Sequence, residues 1–317
     1  MLLKNISYYQ TGTTCDQLLQ PQSINELIEV FQYISRKRIN YFLIGSGSNS
    51  LIMDDHWPGA VISFSQMKKC SINGNIIKTE AGVKNSKFAE LCLDANLAGA
   101  SWMNALPGQI GATTRMNARC YGGEISNIVK SVKSITSKGK IKEYPASEVF
   151  LGYKNTIFID NREIIAEVEF DLKPGNKEEI SAHMQYCKKD RNLKHQFLYP
   201  SCGCVFKNNY QANVPSGLLL EKAGVRKFST PKVEISPYHA NFVFNKGVAT
   251  AREILDTTFK MRDAVYQKFG VWLEYEMEVL GNISGDLKSQ LNFKKEQCFN
   301  SEALLILQQE FENSQKH

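Results

Sequence analysis

The sequence predicts an α+β protein of two or three small lobes, and three observations carry that prediction. A helical repeat and a short apolar strand follow one another near the start, a middle region alternates in the two-residue period of strands joined by tight turns, and the last third holds well-capped helices. The chain has 317 residues, of which 43% are hydrophobic and 22% charged, with a formal net charge of +6. That length suits about two domains and buries a core without disulfide or metal staples, and the composition excludes wholesale disorder. No apolar run reaches the roughly 18 residues of a spanning helix, and residues 1–20 lack a secretory pattern, so a cytoplasmic protein without membrane insertion is expected. The basic excess is mild and dispersed, which argues against nucleic acid and suits an anionic small molecule. The eight cysteines are expected as reduced thiols. Cys202 and Cys204 alone lie close together, too little for zinc, and no metal is expected.

Ser23 and Glu26 have capping-box spacing, and Ile24, Leu27, Ile28, Phe31 and Ile34 recur at helical intervals. Strands follow at Tyr41–Ile44 and Ala60–Phe64. Asn73-Gly74 between isoleucines marks a hairpin. A helix is predicted from about Ser86 to Asn96, and two strands flank the Lys138-Gly139 turn. A further strand sets Ile164, Ala166, Val168 and Phe170 on one side and Glu167, Glu169 and Asp171 on the other, so this region reads as a mainly antiparallel sheet. Lys177 to about Lys194 is a polar helix. Ser216–Ala223 and Thr250–Phe269 read as helices with a hydroxyl cap before and Gly224 or Gly270 after. Asn241–Asn245 and Val271–Leu280 read as strands. Beyond Gly281 the β pattern is lost, and Glu302–Glu312 suits an amphipathic helix.

Four places offer chemistry. Gly45-Ser46-Gly47-Ser48-Asn49-Ser50, after a strand, can aim successive N–H groups at a phosphate or serve as a tight connection between strands; it matches neither a Rossmann nor a Walker fingerprint. Pro107-Gly108-Gln109-Ile110-Gly111-Ala112, continuing through Asn117 to Gly123, leaves bare backbone for a neighbouring helix or a flat ring system. Tyr199 to Asn208 carries thiols beside a glycine turn, suited to proton donation or nucleophilic attack; His195 and His239 are read as structural. In Val271–Leu280 the two-residue period puts Glu274, Glu276 and Glu278 on one face, either solvated or at a cleft.

The order of these segments resembles the UDP-N-acetylenolpyruvoylglucosamine reductase (MurB) family over about residues 10 to 281. Gly45 to Leu51 is similar to its G-G-G-S-N-x-L loop. Pro107-Gly108 to Gly111-Ala112, Met116-Asn117-Ala118 and Tyr121 to Glu124 resemble P-G-x-x-G-A…M-N-A-x-x-Y-G-G-E. Gly152 to Phe158 resembles G-Y-R-x-S-x-F, Pro200 to Lys207 resembles P-S-A-G-S-x-F-K, His239 to Phe242 matches H-A-N-F, and Leu273 to Gly281 resembles L-E-P-E-V-R-x-x-G.

The resemblance implies a two-lobed FAD-binding unit of the vanillyl-alcohol-oxidase/PCMH type over residues 1–66 and 67–198, an α+β substrate domain over 199–282 and a tail with helical character over 283–317. It implies FAD on Gly45, Ser46, Gly47, Ser48, Asn49 and Ser50 and on Pro107, Gly108, Ile110, Gly111, Ala112 and Asn117, with NADPH as hydride donor. The activity implied is reduction of a UDP-sugar enolpyruvyl ether in peptidoglycan precursor synthesis, by a monomer or homodimer. The family's arginine, glutamate and proton-donating serine fall on Lys154, Glu276 and Cys204, and Tyr153, Arg119, Lys207 and Asn241 fall to substrate. Two of the three catalytic positions have changed type. A thiol still donates a proton, but lysine loses the planar fork of arginine. Arg119-Cys120 replace a small pair, Pro231-Lys232 a glycine pair, and Glu278 an arginine. The same departures suit a second possibility, a diverged flavin-dependent oxidase or dehydrogenase with another substrate.

Overall fold

The computed structural model describes residues 2–314, and the chain forms two compact units. One, the N-terminal unit, comprises Cys15–Ser46 and Pro58–Leu193; the other, the C-terminal unit, comprises Met1–Thr14, Gly47–Trp57 and Lys194–His317. Sequence on both sides of residue 66 therefore builds one unit, while two short N-terminal stretches join the last third of the chain.

In the N-terminal unit, the helix Ile24–Lys37 forms where the apolar repeat predicts it. The Ser23 hydroxyl accepts the Glu26 amide at 3.2 Å, while the Glu26 carboxylate reaches back to Gln22 N rather than to Ser23. Its buried Leu27, Phe31 and Ile34 pack with Ala60 and Ile62 of the strand Trp57–Ser63. That strand pairs in parallel with Tyr41–Ile44 and lies central in a three-stranded sheet with Cys15–Leu19, a strand without a sequence signal. The predicted antiparallel sheet is present with five strands, in the order Ile141–Pro145, Val129–Ile135, Ile164–Asp171, Ile76–Glu80 and Cys70–Asn73. The pair Asn73↔Ile76 closes its hairpin, with Gly74 at φ 59°. Val168 and Phe170 bury against Phe88 of the helix Asn85–Asp94 and against Ile180 and Met184 of the helix Lys177–Leu193.

In the C-terminal unit, the helix Ala251–Phe269 has the full Thr250–Glu253 capping box and ends at Gly270, φ 67°. Gly270 is required twice. Its φ is left-handed, and a Cβ there would lie 1.5 Å from the Cys298 carbonyl oxygen of the returning tail. The tail forms the helices Gly285–Asn292, which the sequence reading passed over, and Ser301–Ser314; its last three residues lie outside the described residues. Tyr9 anchors the N-terminal stretch: its hydroxyl donates to Val243 O at 2.7 Å, and Asn245 Nδ2 donates to Tyr9 O at 3.0 Å.

Three expectations here need correction. The helix Ser216–Lys222 starts from Pro215, and the Ser216 hydroxyl donates to Lys207 O instead of capping. The strand expected over Asn241–Asn245 is Val243–Asn245, paired with Val233–Ile235. The strand expected over Val271–Leu280 shrinks to Glu278–Leu280, which runs parallel to Ser50–Ile52. The residues before it form no regular ladder, only an isolated antiparallel bridge at Tyr275. Trp272 exchanges its backbone bonds with the Gln297 side chain, N to Oε1 at 2.9 Å and Nε2 to O at 3.0 Å. Among the described residues no helix is long and apolar enough to cross a membrane, and no cluster of three or more His, Cys, Asp or Glu could hold a metal.

Candidate active site

Within the N-terminal unit the two glycine-rich segments meet. A Cβ on Gly45 would stand 3.0 Å from Gln109 Oε1 and 3.5 Å from Ala112 Cβ, so the end of the strand Tyr41–Ile44 runs against the start of the helix Ile110–Arg115. That helix is pinned from behind: Ile110 N donates to Val83 O at 2.8 Å and Gly111 N to Ala81 O at 2.9 Å. Two of the small residues are taken up by protein. A Cβ on Gly111 would meet Ala81 Cβ at 2.7 Å, and one on Gly123 would meet the Trp102 indole at 2.1 Å. Gly108, φ 138°, and Pro107 make the turn into the helix, and Gly108 O accepts Asn85 N at 3.2 Å.

Three oxygen atoms along this stretch, Gln109 Oε1, Thr114 Oγ1 and Asn117 Oδ1, are buried without a hydrogen-bond partner in the protein. Each such orphan costs about 1–3 kcal/mol. A flat heteroaromatic ring with N–H donors and carbonyl acceptors relieves that cost, so these residues fit a flavin. Gln109 and Thr114 were passed over in the sequence; their signal was a polar side chain inside a run of small residues.

Asn117, at φ 44° and almost fully buried, links this stretch to the hairpin of Phe150–Gly152 and Asn155–Thr156. Its Nδ2 donates to Glu124 Oε1 at 2.6 Å and to Gly152 O at 2.9 Å. The hairpin tip carries Tyr153 and a buried Lys154 at φ 52°. Arg119 lies 5.5 Å from the Tyr153 ring centroid and 4.0 Å from Glu124. Asn117, Arg119, Tyr153 and Lys154, spread over 38 positions, are thus gathered by one hairpin and one carboxylate. Burial pushes the neighbouring Cys120 thiol up in pKa, while Arg191, which donates to its sulfur at 3.4 Å, and Lys154 act against that.

Within the C-terminal unit, Cys204 to Phe206 runs between two other segments without regular strand pairing. Cys204 bridges Phe242, and Phe206 bridges Tyr275. The Glu276 amide donates to Val205 O at 2.8 Å, which sets Glu276 beside the residue after Cys204. Burial pushes the thiol of Cys202 well above its usual range, and the Cys204 and Glu276 charges add to the rise. Asn49 of the glycine loop holds this arrangement from the side: its Nδ2 donates to Glu276 O at 2.9 Å, and its own carbonyl accepts Glu278 N at 2.9 Å. Ser50 pairs with Glu278 in the parallel ladder, and Gly47, φ 63°, packs with its Cα hydrogens toward Ile6 O, where a Cβ would come within 2.9 Å.

Asn241 is buried and its side chain is spent on backbone, accepting Phe206 N at 2.9 Å and donating to Phe206 O at 2.8 Å. Lys207 points outward, 3.9 Å from the exposed Glu274. His239 Nδ1 accepts Asn241 N at 3.3 Å and His195 stacks on Tyr238 at 4.1 Å, consistent with structural histidines.

Comparison with known proteins follows the same segments. An FAD binding domain model matches residues 15–144, and the C-terminal domain model of UDP-N-acetylenolpyruvoylglucosamine reductase matches residues 194–280. The UDP-N-acetylenolpyruvoylglucosamine reductase of Carboxydothermus hydrogenoformans is 33% identical over 274 residues, covering 86% of this chain and 90% of the relative. The chain belongs to the UDP-N-acetylenolpyruvoylglucosamine reductase family. The Clostridium kluyveri reductase is likewise 33% identical, over 283 residues, with 88% of this chain and 91% of the relative covered. The crystal structure of the Thermus caldophilus reductase, 26% identical, superposes with a TM-score of 0.72 over 88% of this chain and 97% of that one. As a family member with an FAD-binding domain, the chain is an FAD-dependent oxidoreductase. Its α+β architecture is the family's.

Proposed function

We propose that this chain reduces UDP-N-acetylglucosamine enolpyruvate to UDP-N-acetylmuramate, with NADPH as the source of hydride. FAD, when bound, would supply the carrier of hydride between NADPH and the methylene carbon of the enolpyruvyl group. The chain's own part is to hold the reactants and deliver one proton to the adjacent carbon, so that hydride and proton together saturate the double bond. Cys204 gives that proton in place of the family's serine; a thiol near pKa 8.5 is the stronger acid. The observation that supports this reading is the backbone bond from Glu276 N to Val205 O, which brings the Glu276 segment against the residue next to Cys204, with the charges of both acting on Cys202.

Glu276 assists at the substrate carboxylate as the charge develops there. In the N-terminal unit the cations Lys154 and Arg119 suit an anionic substrate, with Tyr153 beneath Arg119. Gly45 to Ser50 and Pro107 to Asn117 would hold the cofactor, with the orphaned oxygens of Gln109, Thr114 and Asn117 available to it. Lys207 serves the sugar nucleotide from the rim. Asn241 acts as a positioning residue by fixing Phe206 two residues from the thiol.

Anaerobic half-reactions test the assignment. With Cys204→Ala, reduction of the bound flavin by NADPH should keep its rate, while reoxidation by the enolpyruvyl substrate slows by about 100-fold or more. Cys204→Ser should restore it. Loss of both half-reactions would refute the proton-donor role. A wild-type flavin that NADPH reduces but the enolpyruvyl sugar leaves reduced would favour the oxidase or dehydrogenase with another substrate.

A further inference from the structure

Cys202 and Cys204 stand where the P-S-A-G-S motif has alanine and serine, so this chain sets two thiols on either side of one glycine. The backbone between them is built as a turn. Gly203 has a left-handed φ of 76°, its amide donates to the Ser201 hydroxyl at 3.4 Å, and a Cβ on it would meet nothing within 4 Å. Residues two apart have Cα atoms at most about 7 Å from each other even in an extended chain. The bend at Gly203 draws this pair closer, toward the roughly 4.4–6.8 Å that a disulfide spans.

The Cys202 side chain leans the right way. Its Sγ lies 4.0 Å from the Gly203 carbonyl oxygen, on the peptide that leads into Cys204. The Cys204 charge also helps to push the Cys202 thiol up in pKa, an effect that fades with distance. The two differ in access as a redox dithiol requires. Cys204 is partly exposed and within reach of a small oxidant, whereas Cys202 is 3% exposed and sheltered from it.

We propose that Cys202 and Cys204 form a peroxide-responsive dithiol that closes to a disulfide and silences the reductase. Hydrogen peroxide oxidises the Cys204 thiol to a sulfenic acid and leaves as one water. The Cys202 sulfur then attacks that of Cys204, the S–O bond breaks and a second water departs, so one peroxide and two thiols give one disulfide and two waters. A disulfide sulfur carries no proton to donate; this consequence rests on the proton-donor reading of Cys204. A ring closed across a single residue is strained and readily reduced, as a reversible switch needs.

The test treats the FAD-loaded protein with hydrogen peroxide, removes the peroxide, alkylates and digests with trypsin. Residues 195–207, between Lys194 and the Lys207 cleavage point, carry both thiols in one peptide. That peptide should lose the mass of two hydrogen atoms and escape alkylation, and dithiothreitol should reverse both changes. Reoxidation of the reduced flavin by the enolpyruvyl substrate should slow by about 100-fold or more and recover with dithiothreitol. Cys202→Ala should keep the untreated rate and, after peroxide, leave a sulfenic acid on Cys204 that dimedone captures. A peptide that stays a dithiol, a disulfide from either cysteine to a third, or a closed disulfide with reoxidation undiminished would each overturn the proposal. The reductase reading stands or falls on the untreated protein, so the two failures are distinct.

Discussion

Replacing Asn241 by alanine separates two roles that its place in the motif allows. As a substrate contact it would leave folding alone; as the clamp on Phe206 it must not. The side chain answers both polar groups of one buried residue, Phe206 N at 2.9 Å and Phe206 O at 2.8 Å. Phe206 is itself 1% exposed, so water has little access to either group. Truncation orphans both, at about 1–3 kcal/mol each, or about 2–6 kcal/mol together. Against total stabilities of about 5–15 kcal/mol, the variant stays folded at 25 °C over most of that range but is weakened. With a urea slope of about 3 kcal/mol/M, the unfolding midpoint should fall by about 0.7–2 M. The assay is urea unfolding followed by far-ultraviolet circular dichroism, paired with steady-state kinetics. Loosening Phe206 also frees Cys204, so kcat should fall with the midpoint. An unchanged midpoint with a raised KM would refute the clamp and return Asn241 to the substrate.

Gly111→Ala places a Cβ 2.7 Å from Ala81 Cβ and should cost about 1–3 kcal/mol; Ala81→Gly in the same chain should recover most of it, and a double-mutant cycle that finds no coupling would count against the contact. Burial of Glu163 raises its pKa, but Lys142 at 2.6 Å, Ser134 at 2.7 Å and Tyr144 at 3.1 Å outweigh it and hold the carboxyl below its ordinary value. The stabilisation is therefore full above the unfolded pKa of about 4.3 and is lost as pH falls through the lower folded pKa. The stability gap between wild type and Glu163→Gln should close over that window, and a gap unchanged by acid would contradict it. Burial pushes the Cys92 thiol up to about 12, whereas Cys298 is exposed. Iodoacetamide at pH 8 should label Cys298 first and Cys92 only on unfolding, as peptide mass spectrometry would read; equal rates would disprove the burial.

Elements whose stability is local were legible in the sequence. The helix Ala251–Phe269 carries its own cap, stripe and terminal glycine, and the strand Ile164–Asp171 its own alternation. Cys15–Leu19 and Ser50–Ile52 were not, because short strands exist only through partners elsewhere in the chain, Trp57–Ser63 and Glu278–Leu280. Residues 271–277 misled for a related reason. Period two reports which side chains are buried, and here the tail's Gln297 serves Trp272 as hydrogen-bond partner while residues 274–277 meet residues 205–207 in an isolated bridge rather than a ladder. The site divides in the same way. Its glycines and Asn117 stood out by motif, whereas the orphaned oxygens of Gln109 and Thr114 appear only once burial is known.

The departures around Lys154 gain their meaning from what they touch. Arg119 replaces a small residue, and simple compensation would have its guanidinium stand in for the arginine that position 154 lacks. Its surroundings argue for a different effect. Arg119 is tied to Glu124 at 4.0 Å and lies over Tyr153, while the same Glu124 accepts the Asn117 amide at 2.6 Å. A guanidinium held near a carboxylate and over a ring contributes charge to the surface it covers, and a second carboxylate would compete with Glu124 for it. Lys154, buried and left-handed at the hairpin tip, offers a point charge and no fork. On the proposed reading, the two cations favour an anionic substrate through net charge.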